Sequence, residues 1–281
     1  MARLNVVNIY GYLMDNPKIN INIDGEATMG RFPIQIVRRF NEEFRNSSEF
    51  SCPVILTKEK RFATLMTSLS KNDFVMIKGS VNTVNINRKW ICSCGAMNIQ
   101  SGMQTFITPI EIKKQELISK YIPGDEKEAD RDAACLKFLN EFNEFSNNVT
   151  LIGTVCKTTP FYNEDGKMAF SFQIACKRSY KLVNGDPDVK TDYPWIKVYG
   201  EKAKTASEYL DINSTVCING SYFTKNVNRI CHCEQCGEPN EISDIVSEIH
   251  PYSIEYLHNC NLPREEDYYE FVPPEDDNFD I

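Results

Sequence analysis

The chain repeats itself, and the repeat constrains what it can fold into more than any other feature. Val7-Asn8-Ile9-Tyr10-Gly11 returns as Val149-Thr150-Leu151-Ile152-Gly153, an offset of 142 residues. Gln35-Ile36 returns as Gln173-Ile174, and Cys52-Pro53 as Tyr193-Pro194. Val75-Met76-Ile77-Lys78-Gly79-Ser80 returns as Val216-Cys217-Ile218-Asn219-Gly220-Ser221. Cys94-Gly95 returns as Cys236-Gly237, and Pro109 as Pro251. The two units are read as 3–114 and 147–258, joined by a linker at 115–146 and followed by a tail at 259–281. Leu136, Leu139, Phe142 and Phe145 stand at helical spacing, so the linker is predicted to contain a helix over 126–146.

Each unit reads as alternating strands. In the second they are NVTLIGTV, MAFSFQIACKR, PWIKVYG, TVCINGSYFT and a closing strand near EIHPYSIEYL. A helical stretch, 203–210, falls between the third and fourth, with its counterpart at 62–69. Five strands with a helix between strands three and four is the OB-fold order. The predicted fold is therefore mostly β: two tandem OB barrels, a helical linker and a disordered acidic tail.

The net charge of −8 conceals a segregation. Residues 265–281 hold eight acids and no Lys or Arg, which leaves a body of 31 basic and 31 acidic residues. Residues 1–95 carry 13 basic and 8 acidic residues. No apolar run approaches the roughly 20 residues of a membrane span. The opening MARLNVVNIYGYL alternates like a strand and lacks a signal-peptide cleavage site, so a cytoplasmic location is expected. Of the eleven cysteines, Cys52, Cys135, Cys156, Cys176 and Cys217 stand singly in apolar contexts and are expected to be small core hydrophobes. No clustered carboxylates, Gly-Lys-Ser loop or Ser-His-Asp set suggests an enzyme.

The second unit resembles the bacterial single-stranded DNA-binding protein (SSB) family. The resemblance rests on Asn148 to Val155, on Phe172-Gln173-Ile174-Ala175, and above all on Trp195-Ile196-Lys197-Val198-Tyr199-Gly200-Glu201-Lys202-Ala203. It continues through Ala206-Ser207-Glu208-Tyr209-Leu210 and Val216-Cys217-Ile218-Asn219-Gly220. The first unit joins it only through its likeness to the second, and it lacks the tryptophan. The divergence and the cysteine-rich hairpins suggest a phage or mobile-element origin.

That resemblance implies a protein that binds single-stranded DNA with little sequence preference. Such a binder needs aromatic platforms for base faces and cations for phosphates. By resemblance Trp195 and Tyr180 hold stacking positions, and Tyr199 shares a strand face with Trp195. Phosphate contacts are expected among Lys177, Arg178, Lys197, Lys202, Lys204, Lys225 and Arg229. A fourth-strand stacking position falls at Val227, which cannot stack, and Phe223 is the candidate substitute. In the first unit the candidates are Arg38, Arg39, Phe40, Lys58, Arg61, Lys78, Arg88 and Trp90. The resemblance also makes the tail a docking segment for replication, recombination or repair proteins, its tip carrying Asp276, Asp277, Phe279, Asp280 and Ile281. A homodimer presenting four OB-folds is expected by the same route. The alternative is an RNA-binding or translational regulatory protein, because stacking does not distinguish the nucleic acids.

Both units place cysteines after the fourth strand, Cys92-Ser93-Cys94-Gly95 and Cys231-His232-Cys233-Glu234-Gln235-Cys236-Gly237. Cys-x-x-Cys-Gly is a zinc-knuckle element, and a structural zinc needs four ligands. One set is Cys231, Cys233 and Cys236 with His232 or His250. A second joins Cys92 and Cys94 to Cys233 and Cys236 across the repeat. A third reading leaves reduced thiols without metal.

Overall fold

The computed structural model describes residues 4–38, 50–115, 133–135, 139, 147–164, 167–178 and 191–263. The first unit runs β1 (Leu4–Leu13), β2 (Lys18–Ile21), β3 (Ala27–Val37), β4 (Phe50–Ser51), β5 (Val54–Thr57), α1 (Lys60–Met66), β6 (Phe74–Ile91) and β7 (Met97–Lys114). The second runs β8 (Asn147–Thr158), β9 (Tyr162–Glu164), β10 (Lys167–Lys177), β11 (Thr191–Asp192), β12 (Trp195–Tyr199), α2 (Glu201–Tyr209), β13 (Thr215–His232) and β14 (Pro239–His258).

Pairing closes each unit into a five-stranded barrel. In the first, β1 pairs with β3, β3 with β5, β5 with β7, β7 with β6 and β6 with β1. In the second, the same circuit runs through β8, β10, β12, β14 and β13. The parallel contact in each barrel, Ile55 with Ile107 and Ile196 with Ile249, falls at matching positions of the repeat. A helix between the third and fourth barrel strands completes the OB-fold order.

Strand alternation sends one set of side chains inward. On β10, Phe170, Phe172, Ile174 and Cys176 are buried; on β12, Ile196 and Val198 are. The first barrel is filled likewise by Ile9, Phe32, Ile34, Ile36, Ile77 and Ile107. Each such side chain contributes about 1.5–3 kcal/mol on burial. The Gly-Ser of each fourth strand marks a β-bulge, Lys78/Gly79 in one unit and Asn219/Gly220 in the other. A Cβ at Gly79 would lie 2.5 Å from the Thr108 carbonyl oxygen, and one at Gly220 would lie 2.4 Å from that of His250. Only glycine lets the strand turn the barrel corner there.

The two barrels are fused rather than merely tethered. β1 and β8 pair antiparallel over six residue pairs, from Leu4–Ile152 to Ile9–Asn147, with Val7 opposite Val149. The repeat offset carries Asn5–Leu151 onto Asn147–Ile9 and exchanges Val7 with Val149, so a pseudo-two-fold axis passes through the Val7–Val149 pair. Buried asparagines hold both ends. Asn5 exchanges two 2.8 Å hydrogen bonds with the backbone of Val81. Asn147 receives the Tyr222 N–H at 2.7 Å and donates to the Tyr222 and Val37 carbonyls at 2.9 and 3.1 Å.

Beyond the barrels, β6–β7 and β13–β14 continue as two long hairpin arms, their ladders reaching Ile91–Met97 and His232–Pro239. Each arm grips the opposite barrel in the same way. Thr83 Oγ1 accepts the Tyr193 N–H at 2.8 Å, and Thr224 Oγ1 accepts the Cys52 N–H at 2.7 Å. The expected core role holds for Cys135, Cys176 and Cys217 but not for Cys52 or Cys156. Cys156 follows core residue Val155 on the opposite face of β8 and is exposed. Cys52 is half-buried and bonded to Gln35 Oε1 at 2.9 Å. Of the linker, 133–135 and 139 are described and are helical, with Cys135 and Leu139 buried beside Tyr12, Val37 and Phe74. Among the described residues no helix is long and apolar enough to cross a membrane.

Replacing Asn147 with Ala orphans three buried backbone groups at the seam. It is expected to lower stability by about 1–3 kcal/mol or more, measured as a drop in the urea midpoint. An unchanged midpoint would show that the seam does not depend on this residue.

Candidate nucleic-acid interface

The alternation that buries Ile196 and Val198 turns Trp195, Lys197 and Tyr199 to the outer face of β12, each half-exposed. Register extends this face sideways. Gln173 lies opposite Trp195 on one side and opposite Lys157 on the other, so Lys157, Gln173 and Trp195 form a row across three strands. Lys157 Nζ stands 5.8 Å from the Trp195 ring centroid, and Lys197 Nζ 5.4 Å from that of Tyr199. Gln173 is fixed by donating to the Tyr193 carbonyl at 2.9 Å.

The aromatic row continues from Tyr199 toward the first barrel. His250 meets Tyr199 edge-on at 5.4 Å and stacks on Phe223 at 4.1 Å. The Arg38 guanidinium lies 3.9 Å from the Phe223 centroid. Two groups this close to one ring must occupy its opposite faces, so Phe223 is sandwiched. Burial holds His250 below the ordinary histidine range, so its imidazole is neutral near pH 7. Burial pushes the Tyr199 hydroxyl up, so it stays protonated. Glu248 receives His250 Nε2 at 3.4 Å and pairs with Lys225 at 3.4 Å.

Several expected surface cations are committed elsewhere. Arg38 is buried, donating to the Thr224 carbonyl and, at 3.0 Å, to Ser51 Oγ. Strand register matches Ile36 to Cys176, and so Gln35 to Ala175 rather than to Gln173, which makes Arg178 the counterpart of Arg38. Arg178 grips buried Asp192 with both Nε and Nη2, the latter at 2.9 Å, and Asp192 also accepts the Thr83 N–H at 3.0 Å. Arg88 and Arg229 share Asp244 at 2.6 and 3.2 Å, bracing one arm on the other. These arginines hold the barrels and arms together. Phe223 cannot substitute for the missing fourth-strand platform, because both its faces are covered.

Lys58, Arg61, Lys78, Lys177, Lys202 and Lys204 are exposed, Lys202 donating to the Tyr252 carbonyl at 2.6 Å. Trp90 is half-buried near the tip of the first arm, two residues before Cys92, not on a barrel face. In the first barrel the positions equivalent to Trp195, Lys197 and Tyr199 are Val54, Leu56 and Lys58, so β5 offers no aromatic platform. Arg39, Phe40, Tyr180 and the tail tip lie outside the described residues. Sequence reasoning missed Lys157, whose place beside Trp195 follows only from strand register, and offered His250 as one of two alternative fourth ligands to a metal, whereas it packs on Phe223.

The arm tips bring together four sulfurs, those of Cys92, Cys94, Cys233 and Cys236, all within 4.8 Å of one another. This is the set that spans the repeat. Cys231 and His232 are not in the cluster: both lie on β13, Cys233 just past its end, and His232 Nδ1 faces the Gly237 carbonyl at 3.2 Å. Backbone N–H groups point at the sulfurs, that of Cys94 at Cys92 and that of Ala96 at Cys94. Those of Cys236 and Gln235 point at Cys233, and that of Glu238 at Cys236. The Cys236 N–H foremost pulls the Cys233 thiol down to about 6, helped by Gln235 and by the Asn98 amide, 3.5 Å from the sulfur.

Barrels, seam and crossed arms define a tandem OB-fold protein with internal two-fold symmetry. Two crystal structures of the single-stranded DNA binding protein from Thermus aquaticus share this fold at low sequence identity. The deletion variant aligns with a TM-score of 0.57 and 16% identity over 94% of this chain and 100% of that one. The wild type aligns with a TM-score of 0.56 and 14% identity over 95% and 99%. No curated protein matches the sequence. Residues 146–230, most of the second barrel, match the model of the Single-strand binding protein family.

Replacing Arg38 with Met leaves the Thr224 carbonyl and Ser51 hydroxyl without their donor. Stability is expected to fall by about 1–3 kcal/mol, equally at low and high salt because the group is buried. A loss that vanished at high salt would return Arg38 to the surface charges.

Proposed function

We propose that the protein binds single-stranded DNA without strong sequence preference, stacking bases on the outer face of the second barrel while lysines contact the phosphates. The observation that carries this reading is the half-exposed stripe of Trp195, Lys197 and Tyr199 on β12, flanked by Lys157. An aromatic used for packing belongs on the Ile196–Val198 face, and these two stand on the other. Unpaired bases expose flat faces that such rings accept whatever the base. A duplex hides those faces, so selectivity for single strands follows from the same geometry. In the first barrel, aliphatic Val54 and Leu56 replace the platform, and exposed cations such as Lys58 and Lys78 are left to guide the backbone.

The tail supports a second element of this function. Asp276, Asp277, Phe279, Asp280 and Ile281 combine charge with apolar side chains, the composition of a docking segment for replication, recombination or repair proteins. A polyanion on the same chain also competes for the phosphate-binding lysines at low salt. Two chains together would present four barrels to one strand. The same face accepts unpaired RNA, so RNA enters the test as a competitor.

Titration with oligo-dT, oligo-rU and duplex DNA at two salt concentrations tests the reading. Tight binding of oligo-dT, weak binding of duplex and an affinity falling with salt are expected. Trp195→Ala is expected to weaken oligo-dT binding by about 1–3 kcal/mol, roughly 5- to 150-fold. Lys157→Ala is expected to reduce the salt slope by about 0.7. Equal affinity for duplex, or an unchanged Trp195→Ala variant, would overturn the reading, and preference for oligo-rU would transfer it to RNA. Removing residues 265–281 is expected to raise oligo-dT affinity at low salt and to leave it unchanged at high salt. A truncated protein that binds no better at low salt would exclude the competition.

A further inference from the structure

We propose that Cys92, Cys94, Cys233 and Cys236 bind one structural zinc ion that locks the tips of the two hairpin arms together across the pseudo-two-fold axis. The argument begins with spacing. Zinc bonded to four thiolates at about 2.3 Å places the sulfurs about 3.8 Å apart at the corners of a tetrahedron. Here Cys92 Sγ lies 3.6 Å from Cys236 Sγ, and Cys94 Sγ lies 3.8 Å from Cys233 Sγ. The remaining separations are within 4.8 Å. A disulfide would need sulfurs about 2.05 Å apart, and all four cysteines are free thiols.

The surrounding backbone is shaped for the same purpose. Each tip turns through a glycine in left-handed conformation, Gly95 at φ 84° and Gly237 at φ 75°. The N–H of Gly95 closes onto the Cys92 carbonyl and that of Gly237 onto the Cys233 carbonyl, both at 2.9 Å. These turns free the N–H groups of Cys94, Ala96, Gln235, Cys236 and Glu238 to face the sulfurs. A tetrathiolate zinc site carries a net charge of −2, and converging N–H donors offset it. A cluster of neutral thiols has no such need.

Symmetry supplies an independent reason. The repeat carries the Cys92–Cys236 contact onto the Cys233–Cys94 contact, so the axis that passes between Val7 and Val149 also passes among the four sulfurs. An ion on the axis receives two ligands from each arm, and neither arm alone can complete the site. Asn98 of the first arm strengthens the junction, donating to Cys233 Sγ at 3.5 Å while accepting the Glu234 N–H at 3.0 Å. Ser93 Oγ donates to Glu238 Oε2 at 2.6 Å across the same gap. Binding displaces the thiol protons and involves no electron transfer, so it needs no oxidant. The ion closes a loop through both arms and both barrels, and fixes the barrels relative to one another at the end remote from the β1–β8 seam.

The test uses the full chain purified under reducing conditions, with metal measured by elemental analysis. About one zinc per chain is expected. Cys92→Ser and Cys236→Ser are expected to lose most of it, whereas Cys231→Ser and His232→Ala retain it. Because loss of a ligand can also unfold the arms, the unaltered protein is stripped of metal and given cobalt(II), which is expected to give the visible and thiolate charge-transfer bands of a tetrahedral four-sulfur site. Absence of zinc together with no cobalt spectrum would overturn the proposal. So would zinc lost on Cys231→Ser, a cobalt spectrum with fewer than four thiolates, or disulfides among these cysteines in the reduced protein. None of these readouts involves DNA, so the metal site and the proposed DNA binding fail or stand separately.

Discussion

Six residue pairs between β1 and β8 decide how everything else in this molecule is arranged. A barrel strand normally spends its hydrogen-bonding edges within its own barrel. Here Val7 to Ile9 of β1 keep β6 on one edge and take β8 on the other, merging two closed barrels into one continuous sheet. The merger leaves backbone groups at both ends of the seam with no ladder partner, and Asn5 and Asn147 supply one by folding their amides back onto Val81 and Tyr222. An unpaired buried amide would cost more than such a bond contributes, so these two side chains fix the register of the seam. With that register set, the arms project across the opposite barrels and their tips meet.

Internal symmetry then let the copies diverge. At equivalent positions the second barrel presents Trp195, Lys197 and Tyr199 where the first has Val54, Leu56 and Lys58. The arginine at the end of each second barrel strand took a different partner. Arg178 closes on a buried carboxylate, whereas Arg38, whose counterpart to Asp192 is Ser51, reaches the Thr224 carbonyl and covers Phe223. The first barrel thereby supports the aromatic row of the second.

Much of the fold was legible because it is written in local pattern. Alternation in Phe170–Cys176 and in Trp195–Tyr199 announced strands and their faces, and the repeat offset announced two units. The arms were less legible. Residues such as Asn85 to Lys89 and Lys225 to Arg229 face solvent or one another rather than a core, so their strands lack the in-out contrast that periodicity detects. The site was legible to the same limit. Trp195 and Tyr199 showed through local order, but the commitments of Arg38, Arg178 and Arg88 depend on partners more than 10 residues away in sequence or in the other unit. The four-cysteine cluster follows from symmetry: either hairpin, read alone, invites a search for nearby ligands such as His232, while the second pair lies across the axis.

The account turns on whether bases lie against Trp195. Replacing Trp90 with Phe leaves Trp195 as the sole tryptophan, and its emission can be followed while oligo-dT is added. Strong quenching that saturates together with binding, followed independently by anisotropy of labelled oligo-dT, is the expected result, since a stacked base touches the indole face. Saturated binding with the Trp195 emission unchanged in intensity and wavelength would contradict the account.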